Sequence, residues 1–381
     1  MSEFLLSEVC ELIVDCPHTT ANDEGKGFPL VRTPNIGKGR LVYDGMHRVC
    51  EDVYNKRNAR AIPQENDLIF AREATAGNVA LIQKGEKVCL GQRTVLIRPN
   101  QEMVNPAFLT YFLLAPKQQY NLLSTANGAT VAHVNLPTIR NLKIDLPELP
   151  TQHRIASILS RYDSLIENYQ KQIKILEEAA QRLYKEWFVD LRFSGHETTK
   201  IIDGVPKGWK KMPVDNIYSI KYGKNLSTKL ITPIGKYPVY GANGVIGYYD
   251  VANCNEQVVL ITSRGNGSGD VLMTYHKDAF ITNNSFIVIP LEEYNYCELP
   301  FTYQFLNNAN FRAVRTGAAQ PQLTNQSIHT VDVILPSKEL ISEYCKKTTQ
   351  SYKMGVYLRN QIRLLTEARD RLLPKLMSGE I

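Results

Sequence analysis

The run Arg264-Gly265-Asn266-Gly267-Ser268-Gly269 has the spacing of a phosphate-handling loop. A glycine-rich turn after a strand can hold a phosphate when a helix follows and aims its unbonded amides at the anion. Residues 271–275 are strand-like instead, so the pattern predicts a glycine-rich hairpin that can approach a DNA backbone closely. Seven histidines show no HExxH, no paired metal spacing and no partnership with a nucleophilic Ser or Cys. No phosphate loop of the Gly-Lys-Ser/Thr type occurs. Seven cysteines are scattered and never spaced CxxC; the nearest approach to a metal set is Cys10, Cys16 and His18. A tetrahedral zinc site needs close pairs of ligands, so reduced, mostly buried thiols are expected, with no metal and no cofactor on this chain. The residues point to binding rather than catalysis.

Candidate binding residues lie in loops. Arg32, Lys38 and Arg40 sit in RTPNIGKGR, Arg72 lies just past a strand, and His47, Arg48, Lys56, Arg57 and Arg60 add a basic stretch. The second half offers Lys221, Lys224 and Lys229 in KYGKNLSTK, then Arg264, Arg312 and Arg315. Loops mixing Arg and Lys with Asn, Gln, Thr and Gly suit phosphate positioning and base-edge reading. For each residue taken singly, a solvated charged loop is the alternative. Asn105-Pro106-Ala107-Phe108 is similar to an Asn-Pro-Pro-aromatic loop that grips a flipped adenine. It lacks the second proline and reads as a helix start, running to about Gln119, with Pro at the first helical position. Residues 128–133 and 317–322 precede strand-like runs and are expected to close each half's fold rather than touch a ligand.

The elements that must position these loops are written twice. Gly128-Ala129, Ile139 and Leu146-Pro147 reappear 189 residues later as Gly317-Ala318, Ile328 and Leu335-Pro336. Arg72 and Gly77 answer Arg264 and Gly269 at an offset of 192, as Thr110-Tyr111 answers Thr302-Tyr303. A duplicated chain is expected to fold into two similar units related by an approximate two-fold axis. From Gln152 to about Arg192 the pattern changes to a helix. Ile155, Leu159, Tyr162, Ile166, Tyr169, Ile173, Leu176, Ala180, Leu183 and Trp187 follow an unbroken 4-3 spacing, the repeat of a coiled-coil seam. That stretch makes a rod of about 50 Å, with Thr151 as its expected N-cap. The segment at 340–379 repeats it with Leu358, Ile362, Leu365, Leu372 and Leu376 on the seam. Thr348, Ser351 and Gly355 weaken its first turns, and Pro374 predicts a kink or frayed end. Two such stripes are expected to pack antiparallel on each other, with a globular domain at each end.

The globular parts read as mixed α and β, with strands in DLIFA, VALIQ and TVLIRP, and again in VVLITS, DVLMTY and SFIVIP. This gives an α+β fold in four parts: domains at 1–150 and 196–337, helical spacers at 151–195 and 338–381. The joining stretch 190–208 is broken by glycine and proline, and Trp209 is expected to anchor the second domain's edge. At 381 residues the chain is too long for one ordinary core. Hydrophobic content of 43% and charged content of 22% suit a soluble protein. The absence of long apolar runs and of a basic-then-apolar start predicts a cytoplasmic one with no membrane partner. A net charge of +6 permits a nucleic-acid partner without demanding it.

The helical segments carry a resemblance. QHRIASILSRYDSLIENYQKQIKILEEAAQRLYKEWFVDLRF, the VPKGWKK opening of the second half and LRNQIRLLTEARDRLLPKLMSGEI resemble the specificity subunits of Type I restriction-modification systems, over essentially the whole chain. The resemblance implies two target-recognition domains, each reading one half of a split site in double-stranded DNA. It implies helices that set the gap and dock methyltransferase subunits, two of them, with restriction/translocase subunits joining the complex. Adenine methylation from S-adenosylmethionine and ATP- and Mg-dependent cleavage would belong to those partners. One departure is SEYCKKTTQSYKMG at the start of the second helix, where the Gln152-His153-Arg154 pattern is not repeated. A coiled-coil adaptor, or a specificity module of another methylation-based defence system, is the alternative. Half-sites about one DNA turn apart, roughly 34–36 Å, would lie within the reach of such a rod.

Overall fold

A computed structural model describes residues 2–124, 133–202, 204–317 and 320–381. Residues 128–132 and 318–319, within the segments expected to close each half, lie outside the described residues. The chain divides into two compact units, Met1–Asn168 with Ile362–Ile381, and Tyr169–Gln361.

In the first unit nine short strands follow one another: β1 (Ser2–Leu5), β2 (Cys10–Asp15), β3 (Phe28–Val31), β4 (His47–Val49), β5 (Leu68–Ala71), β6 (Val79–Leu81), β7 (Cys89–Leu90), β8 (Thr94–Pro99) and β9 (Lys143–Leu146). The helices among them are α1 (Glu51–Arg57), α2 (Pro106–Leu114), α3 (Pro116–Leu123) and α4 (Leu136–Arg140), and the long α5 (Leu149–Tyr184) follows. β1 pairs with β9; β2-β8-β5-β6 form one sheet and β4-β3-β7 another. β5 reads Leu-Ile-Phe-Ala and is buried on both faces, as a continuous apolar run requires. Leu68 and Phe70 face a core with Phe108 and Phe112 of α2, whereas Ile69 and Ala71 face Val31 and Leu90. The central sheet is thus sandwiched between helices and the smaller sheet.

The second unit repeats the plan after a small hairpin, β10 (Ile201–Ile202) with β11 (Val205–Pro206). Its elements are β12 (Lys210–Pro213), β13 (Tyr218–Tyr222), β14 (Tyr237–Gly241), β15 (Gly244–Tyr249), β16 (Val259–Thr262), β17 (Val271–Met273), β18 (Phe280–Ile281), β19 (Ser285–Pro290), α6 (Leu299–Asn307), α7 (Asn325–Ile328), β20 (Asp332–Leu335) and the long α8 (Lys338–Ser378). β12 pairs with β20; the sheets run β13-β19-β16-β17 and β15-β14-β18. Strand for strand this is the order of the first unit, parallel pair included. All six strand segments named from sequence are strands, and Trp209 packs on Phe188 and Phe193 in the second core.

Three helix details differ from expectation. The helix from Pro106 breaks at Ala115, which is extended (ψ 143°), because Pro116 excludes helical backbone in the residue before it. α5 begins at Leu149, ahead of the expected cap: Thr151 and Gln152 both donate to the Glu148 carbonyl, so Thr151 is already inside the first turn. α8 passes through Pro374 to Ser378 without ending there. Leu373 and Leu376 beside it are buried in the first core and hold that turn in place. α5 itself closes in a π-turn over Lys185–Val189.

Both long helices contribute to both units. In the first unit Leu159 shares a core with Leu372 and Leu373, and Asp163 bonds to Arg369. In the second, Glu177 pairs with Arg359 and Ala180 accepts from Tyr344. Rising numbers on one helix meet falling numbers on the other, so the segments run antiparallel within each unit. The seam residues Ile155, Leu159, Ile166, Ile173, Trp187, Leu358 and Leu376 are buried, and Leu176, Leu183, Ile362, Leu365 and Leu372 half-buried, at the spacing a heptad stripe demands.

Candidate nucleic-acid interface

In the second unit one end of the central sheet gathers loops from distant parts of the sequence. The β16–β17 connection is the glycine-rich run, closed as a hairpin by bonds from Thr262 to Asp270 and from Gly269 to Thr262, both 2.8 Å. Gly265 and Gly269 adopt left-handed backbone (φ 84° and 86°), which the tight turn needs and a side chain would strain. Beside it lies the β14–β15 turn, where the Ala242 carbonyl accepts from the Thr262 hydroxyl at 2.7 Å. The returning segment joins through Gly265 to Pro321 at 3.0 Å and the bridge Arg264–Gln322. Lys224 is tied in through its backbone to Ile281 and Asn283.

Three predicted residues, Lys224, Arg264 and Arg315, therefore meet at this end with Asn243, Asn266 and Gln322. Lys224, Arg264, Asn243, Asn266 and Gln322 are exposed. Arg312 binds Asp270 (2.5 Å) and Arg315 donates to the Arg312 and Asn266 carbonyls, so these two arginines brace the hairpin. Lys221 is exposed on β13, near the same end, and Lys229 is exposed on a separate loop. Sequence reasoning passed over the carboxamides Asn243, Asn266 and Gln322. Single Asn and Gln residues in loops carry no period or spacing, and only the register of three hairpins brings these together.

The corresponding end of the first unit is built from opposite charges. Arg72 is only 8% exposed. Its guanidinium donates to Asp15 (2.7 Å), to the Val134 carbonyl (3.0 Å) and to Nε2 of His133 (2.9 Å). An accepting Nε2 leaves the proton of neutral His133 on Nδ1, aimed at Glu73 2.6 Å away. Arg93 completes the set with Glu73 at 2.6 Å. Pulling Arg72 out to a phosphate would give up its bonds to Asp15, the Val134 carbonyl and His133, and leave Asp15 with His18 and the Cys16 amide. The side chain is committed inside the fold. Arg57 is likewise buried, bonded to the Leu90 and Thr19 carbonyls. Arg32 donates to Gly45 and Arg40 to Gly39, each half-buried, and Lys38 is exposed.

Of the other sequence features, Asn105 is a helix cap: its side chain accepts from the Phe108 amide at 2.9 Å. Gln152, 1% exposed, clamps this corner by accepting from the Asn105 amide and donating to the Met103 and Pro147 carbonyls. Burial pushes the Cys10 and Cys297 thiols up to about 12 and those of Cys89 and Cys345 to about 11, so they stay protonated. Among the described residues no group of His, Cys, Asp and Glu could hold a metal ion. No described helix is long and apolar enough to cross a membrane.

The helices also carry exposed apolar side chains, and these repeat. Leu165 and Leu364 lie on the two helix segments of the first unit, Ile175 and Met354 on those of the second, all largely exposed. At the offset of 189, Leu165 corresponds to Met354 and Ile175 to Leu364. Exposed apolar residues thus recur at equivalent positions in the two units, with Tyr357 exposed as well on α8 of the second.

Comparison with known proteins adds to this. Residues 1–178 and 206–350 match the family described as Type I restriction modification DNA specificity domain. The specificity subunit of the MjaIX Type I restriction enzyme of Methanocaldococcus jannaschii is 24% identical over 386 residues, covering 94% of this chain and 87% of that one. That of the HindI enzyme of Haemophilus influenzae is 22% identical, covering 75% and 80%. The crystal structure of a Type I restriction-modification S subunit from M. genitalium has the same fold, with a TM-score of 0.58 at 19% identity, over 98% of this chain and 95% of that one.

Proposed function

Since this chain belongs to the family of Type I restriction modification DNA specificity domains, we propose that it reads a split, asymmetric DNA site, one domain to each half. It carries no catalysis of its own. Methylation from S-adenosylmethionine and ATP- and Mg-dependent cleavage belong to methyltransferase and restriction subunits that assemble on it. The observation that carries the reading is the doubled plan. The same sheets are built twice, each on an antiparallel helix pair, and each presents a loop-rich sheet end. Two compact units of one plan suit a site in two parts, and long helices shared by both suit a fixed gap.

The repeated apolar pairs, Leu165 with Leu364 and Ile175 with Met354, support the docking of two copies of one methyltransferase. Exposed apolar side chains on a helix cost little singly but mark contact surfaces when they recur at equivalent places. Phosphate contacts would supply most of the affinity, which then falls with salt.

The test is co-expression with the methyltransferase encoded beside it, followed by genome-wide mapping of methyladenine. A split motif with a fixed gap is expected. A stable complex that binds duplex DNA in no salt-dependent manner would leave the adaptor reading instead.

A further inference from the structure

At the sheet end of the second unit, four exposed side chains from three separate segments stand together: Asn243, Arg264, Asn266 and Gln322. Among the described residues, none of the three carboxamides and no nitrogen of the Arg264 guanidinium makes an intramolecular side-chain hydrogen bond. Their backbones, by contrast, are held. Gln322 exchanges both backbone bonds with Thr316 at 2.9 Å. The turn carrying Asn266 is closed on itself by Ser268 to Gly265 and Asp270 to Gly267, with Ser268 fully buried beneath. Arg315 bonds the Asn266 carbonyl, and Arg312 clamps Asp270. Asn243 sits against this turn, so close that a side chain on Gly267 would come within 3.3 Å of its Oδ1. A held backbone spares the cost of ordering a loop on binding, and a carboxamide offers an adjacent donor and acceptor.

That pairing matches one DNA feature. A carboxamide makes two bonds to the N6 and N7 edge of adenine in the major groove, and a guanidinium makes two to the O6 and N7 edge of guanine. A phosphate accepts from any donor and carries no sequence, whereas only a base edge uses both the donor and the acceptor of a carboxamide. Two lysines stand close enough to supply positive charge for phosphates, Lys224 anchored in the same cluster and Lys221 on the adjoining strand. The first unit, with the same backbone plan, places an internally paired Arg72 and Glu73 where this one places Arg264 and Gly265. The difference lies in the side chains at the end of the hairpin and not in the fold beneath it.

We infer that Asn243, Arg264, Asn266 and Gln322 are the base-reading side chains of the second domain, directed at purine edges in the major groove, with Lys221 and Lys224 on phosphates. This rests on the chain being a DNA-specificity protein. The experiment uses the complex with the methyltransferase, the motif of the unaltered complex being mapped first. Asn243→Ala, Asn266→Ala, Gln322→Ala and Lys224→Ala complexes are then compared by competition between duplexes carrying each single base change. The carboxamide variants should each lose roughly 10- to 100-fold discrimination at one position of one half-site, with the other half-site and the gap unchanged. Lys224→Ala should weaken all duplexes alike. Unchanged discrimination in all three carboxamide variants would overturn the inference, as would weakening spread evenly over both half-sites. If the unaltered complex has no sequence preference, the underlying reading fails first. Co-purification and melting temperature, which exposed side chains should not alter, separate these outcomes from misfolding.

Discussion

The two units share a fold but fasten their domains to the helices by different physics. In the first unit a polar network is added to the apolar core of the joint. The Tyr111 hydroxyl donates to Asp163 at 2.5 Å, Arg369 reaches the same carboxylate at 2.6 Å, and Gln152 ties the helix start to the domain. Beside Asp163, burial and the carboxylate push the Tyr111 hydroxyl well above its usual range, so it remains a donor. In the second unit the matching positions are Tyr303, Tyr352, Ala180 and Ile341. At those positions no ionic group remains, the Glu177–Arg359 pair lies beside them, and Tyr344, Phe301, Phe188, Tyr184 and Trp187 form an aromatic cluster in one core with Ile341. Duplication conserved the place where domain and helix meet while leaving the means free. A hydrogen-bonded network demands a fixed geometry, whereas an apolar joint demands chiefly volume. A small cavity of about 50 Å³ lined by Tyr352, Gln304 and Ala180 lies at these positions, with the Glu177–Arg359 pair on its wall.

The sharpest way to break this comparison acts on both units at once. Leu176→Asp with Leu365→Asp places a charge on the seam of each unit, and loss of methyltransferase from the purified complex is the expected result. Normal co-purification would mean that the seam does not support docking. Next come single changes at each joint. Arg369→Met strands a buried Asp163 and should cost about 3–5 kcal/mol, with much of the loss recovered by adding Asp163→Leu. Phe301→Ala in the second unit should cost a similar 3–5 kcal/mol, but through a cavity, so no polar partner change should rescue it. Hydrogen exchange, read separately for each unit, would distinguish the two. A smaller effect is expected for Gln152→Leu, about 1–3 kcal/mol from the orphaned Asn105 amide, seen as faster exchange at the start of α5.

The smallest change concerns the sheet ends. Lys221→Ala with Lys224→Ala should reduce the salt dependence of duplex binding by about two counterions, while leaving stability almost unchanged. Arg72→Ala, at the corresponding sheet end of the first unit, should do the reverse: lower stability with little effect on the salt slope. Equal slopes for both variants would erase the distinction between a braced end and an open one.

Much of the architecture was legible because it depends on local period. The heptad stripe, the strand segments, the glycine-rich hairpin and the doubled order all follow from spacing, and spacing survives without knowledge of partners. Pro116 was as visible as Pro374, yet one breaks its helix and the other does not. Ala115 before Pro116 is extended and Leu373 before Pro374 stays helical, although both are buried in the same core. The start of α5 was missed by three residues because a backbone carbonyl at Glu148, which has no sequence signature, begins the helix where a Thr151 side chain had been expected to.

The candidate site shows the same division. Composition and motif absence were enough to predict a binding chain, and its repeat gave two units. Arg72 and Arg264 looked alike in sequence: each follows a strand and each precedes a glycine turn. Their fates were decided by residues far away. Asp15 and His133, 57 and 61 residues from Arg72, close over it. Arg264 meets only a backbone bridge to Gln322. A short-range pattern records the backbone's preferences because those are set by neighbours in the chain. Whether a charge is neutralised or left open depends on neighbours in space, and only the tertiary structure supplies them.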